Sequence, residues 1–91
     1  MNTTKVIFYR EPINPDYLEG GEVLAVFPED RNKDNVTCYS SMGQHSVLCP
    51  QYLDSCRIAT KHEYRDLAIE LLCLGYVLSI VNEALEQPMC I

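Results

Sequence analysis

The chain is poor in basic residues: 7 lysines and arginines stand against 13 aspartates and glutamates, a formal charge of -6 over 91 residues. Such a balance repels phosphate backbones and anionic membrane surfaces, so direct nucleic-acid or membrane binding is not expected. A long apolar run is also missing. The longest candidate, "LAIELLCLGYVLSIV" (Leu67 to Val81), is interrupted by Glu70 and stops at 15 residues, short of the about 20 that span a bilayer. The first residues, "MNTTKVIFYREP", reach an arginine and a glutamate after four apolar residues and so lack the core of a secretory signal. A cytoplasmic location is the expectation.

Other absences narrow the chemistry. None of the five cysteines, Cys38, Cys49, Cys56, Cys73 and Cys90, stands in a Cys-x-x-Cys pair, which argues against a zinc knuckle and a thioredoxin-like redox motif. In a reducing compartment they are expected to be free thiols acting as small hydrophobes, with Cys90 exposed near the end. "EGGE" has adjacent glycines but no following Lys-Ser or Lys-Thr, so there is no phosphate-cradling loop. A Ser-centred nucleophile elbow, an internal repeat and a low-complexity stretch are absent as well.

What remains is the composition of one small globular domain, 47% hydrophobic and 22% charged, with residues 83–91 expected as a flexible tail. "KVIFYR" (Lys5 to Arg10) is a β-branched and aromatic run stopped by "EPINP" and predicts a first strand. "EVLAVF" (Glu22 to Phe27), bounded by Gly21 and Pro28, predicts a second. The long loop between them carries Tyr17 and Leu18, candidates for a lid or an edge cover. The polar stretch Pro28 to Asn35 reads as a solvated turn, and "VTCYSS" (Val36 to Ser41) as a third strand in an antiparallel meander. Side-chain alternation then points Cys38 and Tyr39 to opposite faces.

"TKHE" (Thr60 to Glu63) is a capping box, so a helix starts there. Tyr64, Leu67, Ala68, Leu71, Leu72 and Leu74 form its apolar stripe, while Lys61, Arg65, Asp66 and Glu70 lie off it. Gly75 is placed to end the helix in the left-handed region, and "YVLSIV" (Tyr76 to Val81) resumes strand character. The sum is an α+β fold: a small antiparallel sheet of order β-β-β-α-β in sequence, with one helix packed on one face. Strands one and two are apolar on both sides, so the second face needs a cover. The 42–59 connection is one candidate and a second subunit, in a homodimer, is the other.

That connection is long for a compact domain, and long connections are disproportionately functional. Gly43 permits a tight turn that sets Gln44 and His45 at the end of strand three. Tyr39, Gly43, Gln44 and His45 are therefore the candidate binding residues: a phenol, an amide and an imidazole can hydrogen-bond or stack on a small polar ligand or a partner loop. The same polar side chains can instead satisfy loop carbonyls. A Cys49 nucleophile with a His45 base is disfavoured, because Cys49 precedes Pro50 with nothing to lower its pKa. A metal site from His45, His62, Asp54 and cysteines lacks any usual ligand spacing, and no catalytic residue, metal or cofactor is assigned.

The segments "VIFYR", "GEVLAVFPE", "YSSMGQHS" and "ATKHEYRDLAIELLCLGY" follow one another in an order that resembles a group of small bacteriophage and conjugative-element proteins, often of gut bacteria. Their pattern runs VIFR, a strand ending ALFP, Tyr-x-x-x-Gly-Gln-His, and a helix ending Gly-Tyr. The most specific match is Tyr39, Gly43, Gln44 and His45. In that group glycine and acidic residues follow the histidine, whereas here "SVLCP" does. The resemblance implies a mobile-element accessory protein, without enzymatic activity, that binds and inhibits or sequesters a host defence component, either an immune effector protein or a nucleotide signal. The alternatives are a small hydrolase or nucleotide-modifying enzyme using His45, and a structural protein-interaction module.

Overall fold

A computed structural model describes residues 3–12, 21–32, 35–40 and 45–82. The expected lid residues Tyr17 and Leu18, the site residues Gly43 and Gln44, the 83–91 tail and Cys90 lie outside the described residues. Strands β1 (Thr4–Arg10), β2 (Val23–Asn32), β3 (Asn35–Ser40) and β4 (His45–Leu48) are followed by a 3-10 segment (Pro50–Ser55). Then come β5 (Arg57–Ile58), helix α1 (Lys61–Cys73) and β6 (Leu78–Ile80). The architecture is α+β, one sheet with one helix packed against it. Its order is β4-β3-β2-β1-β5, and β6 pairs with β1 as well.

The first three strands form the antiparallel meander that their composition predicts, with Ile7 opposite Val26 and Val26 opposite Cys38. Three features differ from expectation. Pro28 does not end β2. The register breaks between Phe27 and Arg31 and then resumes at Arg31 opposite Val36, because a proline without an N–H is tolerated where a bulge suspends the ladder. The polar 28–35 stretch is thus largely strand. Second, the 42–59 connection is not one loop: it contains β4, which pairs with β3, the 3-10 segment, and β5, which pairs with β1. Third, β6 runs parallel to β1, matching Thr4 with Leu78 and Val6 with Ile80, in an otherwise antiparallel sheet. The outer edge of β1 is therefore shared end to end by β5 and β6. Ala59 N–H donates to the Phe8 carbonyl, and Val81 N–H donates to that of Val6, both at 2.9 Å.

Alternation along β1 sends Val6 and Phe8 to the helix side and Ile7 and Tyr9 to the other. Cys38 and Tyr39 divide in the same way, as their spacing predicts. On the far side Ile7, Tyr9, Val26, Val36 and Cys38 close under Leu53 of the 3-10 segment. The chain's own connection thus packs on that face. Gly21 lets the two ends of the first hairpin meet, since a Cβ on it would lie 2.2 Å from the Glu11 carbonyl oxygen.

Helix α1 starts on the capping box: Glu63 N–H donates to the Thr60 hydroxyl and Thr60 N–H to the Glu63 carboxylate. It ends at Gly75, whose φ of 104° favours glycine. Its buried face is narrower than the sequence stripe. Leu67, Ala68 and Leu71 are buried and Tyr64 stacks on Phe8 with centroids 4.4 Å apart. Leu72 and Leu74, expected in the core, are instead 54% and 55% exposed. The helix is rolled so that the flank bearing Glu63 and Glu70 turns toward the sheet. Glu63 meets Arg10 and Arg57 there and Glu70 lies near Tyr39, while Leu72 falls on the opposite flank and Leu74 is the C-cap beyond the last helical residue. Among the described residues no helix is long and apolar enough to cross a membrane.

Candidate functional site

The sheet delivers His45 to the rim of the aromatic helix-side cluster. β4 pairs with β3 so that His45 stands directly opposite Tyr39, and residues opposite each other on neighbouring strands share a face. The Tyr39 and His45 rings meet edge-on, centroids 4.7 Å apart at 64°. Tyr76, just beyond the helix-ending Gly75, places its hydroxyl 2.8 Å from His45 Nε2. The Tyr76 ring in turn stacks on Phe27 at 5.5 Å and 15°. The imidazole is therefore exposed yet held from three elements: β3 under its edge, β2 through Phe27, and the segment after α1 through the Tyr76 hydroxyl.

Tyr39 is placed differently from His45. Its ring is 3% exposed and belongs to the core. Its hydroxyl lies near the Glu70 carboxylate, and burial, followed by that carboxylate's charge, pushes the phenol pKa up. Tyr39 thus acts as the support that carries His45. A small ligand resting on this rim meets the imidazole before it meets the phenol ring. Glu70 supplies an acid within the cluster, near Tyr39. The imidazole's one hydrogen-bonding neighbour among the described residues is the Tyr76 phenol.

The sequence reading missed Tyr76, Phe27 and Glu70 as members of this cluster. A signal for Glu70 was present: it lies seven residues, two helical turns, after the capping-box Glu63, so both carboxylates fall on one flank of α1. Tyr76 and Phe27 have no such local mark, because only the folded sheet brings them to His45.

The remaining candidates are dispersed. Cys49 lies beyond the far end of β4, with its thiol donating to the Gln51 side-chain carbonyl, so it is no nucleophile for His45. His62 is exposed in the first turn of α1. Among the described residues no three His, Cys, Asp or Glu side chains converge as a metal site would require. The described cysteines are all free thiols. Cys38 is buried, Cys56 half-buried, and Cys49 and Cys73 are exposed, so the expectation of small hydrophobes holds for the first two. No known protein family, no curated protein and no solved structure matches this chain.

Proposed function

We propose that this chain is a non-enzymatic binding protein, an accessory factor of a mobile element that acts in the host cytosol by capturing a host defence component at the His45 edge of its sheet. The observation that carries this reading is the held but exposed imidazole. A polar group fixed by Tyr76 and Tyr39 before the ligand arrives loses little freedom on binding, which is what a capture site needs. The chemistry around it supports binding over turnover. A histidine acting as a hydrolytic base is served by a nucleophile within hydrogen-bond reach and an acidic orienting group on its second nitrogen. Here the described partner is a phenol, and the nearby Glu70 carboxylate makes no hydrogen bond to His45 among the described residues. An imidazole edge beside stacked aromatic rings suits a planar, polar ligand such as a nucleotide signal.

The test is calorimetry and thermal shift of the whole chain against nucleotides and cyclic nucleotides. One ligand is expected to raise the melting temperature and to be recovered intact, with affinity falling at least about tenfold, or 1.4 kcal/mol, in His45→Ala. Turnover of the ligand abolished by the same substitution would replace this reading with an enzymatic one. Binding that ignores His45→Ala would remove the site.

A further inference from the structure

At the opposite edge of the sheet from His45, four strand spacings or roughly 20 Å away, two arginines share one acid. Arg10 on β1 and Arg57 on β5 are direct cross-strand partners. Like charges so placed repel unless something stands between them. That something is Glu63. Its Oε2 takes Arg10 Nη1 at 2.9 Å and Arg57 Nη2 at 2.5 Å. Its Oε1 takes Arg57 Nη1 at 2.6 Å and the Thr60 backbone N–H at 2.9 Å. These four bonds fill the lone-pair sites of a carboxylate, which therefore has nothing more to offer either guanidinium.

Glu63 is thus saturated, and the guanidinium donors are not used up. Each guanidinium carries five N–H bonds, and the Nε of Arg10 is buried without a hydrogen-bond partner. Beside the pair opens a cleft of about 350 Å³ lined by Arg10, Glu11, Pro12, Ser55, Cys56 and Arg57. The acid in its wall, Glu11, has a partner of its own, since the Tyr52 hydroxyl donates to it. Arg57 is the accessible member of the pair, its side chain 58% exposed against 28% for Arg10.

We propose that this cleft is a second binding site, for a small oxyanion, a phosphate or carboxylate group, received by the Arg57 guanidinium with Arg10 behind it. Glu63 and the Ile58 carbonyl occupy Nη1 and one side of Nη2 of Arg57, and the remaining Nε–Nη2 edge matches either group in a bidentate fashion. The site stands apart from the His45 edge and does not depend on what binds there.

Titration of the full chain with sodium phosphate, and separately with sodium acetate, at constant ionic strength and followed by amide chemical shifts, tests it. Saturable shifts confined to Glu11 and the 55–57 segment are expected. Response to phosphate alone assigns a phosphate site; response to both assigns a general oxyanion site. Arg57→Gln is expected to weaken binding about tenfold or more, and Arg57→Lys, which keeps the charge but loses the fork, by less. His45→Ala leaves the affinity unchanged, which separates this site from the first. Glu63 keeps Arg10 and Thr60 in both Arg57 variants, so unchanged shifts along α1 certify their fold. Shifts that rise without saturating, or equal affinity in Arg57→Gln and the parent chain, overturn the proposal.

Discussion

The two faces of the sheet are built from different materials. The helix side is aromatic, with Phe8, Phe27, Tyr39, Tyr64 and Tyr76 gathered under α1. The far side is largely aliphatic, with Ile7, Val26, Val36, Cys38 and Leu53 around one ring among the described residues, that of Tyr9. Tyrosines bury a ring and keep a polar tip, so a tyrosine-rich face can carry hydrogen-bonding groups to its rim while still serving as core. Tyr76 reaches His45 and Tyr39 reaches Glu70 in this way. The aliphatic face has few such tips. The candidate site sits on the helix side because that is where packing and polarity coexist.

The covers differ as well. α1 is 13 residues long and closed by a reciprocal capping box, whereas the 3-10 segment is six residues with no side-chain cap. Truncation on the two faces should therefore be unequal. Phe8→Ala removes a ring that is 1% exposed and stacked on Tyr64. It is expected to cost about 3–5 kcal/mol, much of the about 5–15 kcal/mol that holds a domain folded. Leu53→Ala, under the shorter cover, is expected to cost only about 2 kcal/mol, because a six-residue segment can settle into the space left behind. Urea unfolding midpoints measure both. A loss for Leu53→Ala equal to that for Phe8→Ala would erase the distinction between the covers.

Much of this contrast could be read before the fold was known, and the part that could not has a physical reason. Alternation alone separated Cys38 from Tyr39, and three residues of spacing marked the Thr60–Glu63 box, because both are local geometries. Gly75 announced the helix end for the same reason. The strand β4 was not legible: "HSVL" carries only two apolar residues, and its strand character comes from the ladder that β3 offers it. The parallel pairing of β6 with β1 joins residues more than seventy apart and leaves no mark in either segment. The roll of α1 was hidden too, since Leu72 looks inward by periodicity whereas the folded helix turns its Glu63 and Glu70 flank to the sheet. Of the cluster around His45, strand-end position and residue type singled out His45 and Tyr39, and Tyr39 lies in the core beneath it. The groups that hold these two were not legible, because each comes from a distant element.

The Glu63 cluster sharpens the comparison through pH. The guanidinium of Arg57, and then the Thr60 backbone N–H, hold the Glu63 carboxyl down at about 2. A carboxyl whose folded pKa lies below its unfolded value favours the native state above the ordinary carboxylate range, and that contribution is lost as pH falls toward about 2. Glu63→Gln should melt several degrees below the parent at neutral pH, and the two melting curves should converge on acidification. Parallel curves over the whole range would mean that the acid between the arginines contributes no pH-dependent stability. The same titration applied to Leu53→Ala should show no convergence, since that substitution leaves the Glu63 cluster in place.

The smallest effect is expected at the site itself, and it bears most directly on function. His45 is exposed, and removing its imidazole frees the Tyr76 hydroxyl to bond water, so His45→Ala should change stability by no more than about 0.5 kcal/mol. Tyr39→Phe removes only one hydroxyl, but it takes that group from beside a half-buried Glu70 and should cost about 1–3 kcal/mol. Two ring neighbours in edge contact would then have opposite roles, Tyr39 bearing load for the fold and His45 available for a ligand. Chemical denaturation of the two variants side by side decides it. If His45→Ala proves as costly as Tyr39→Phe, the imidazole is a structural plug in the rim of the aromatic face, and its exposure is incidental to binding.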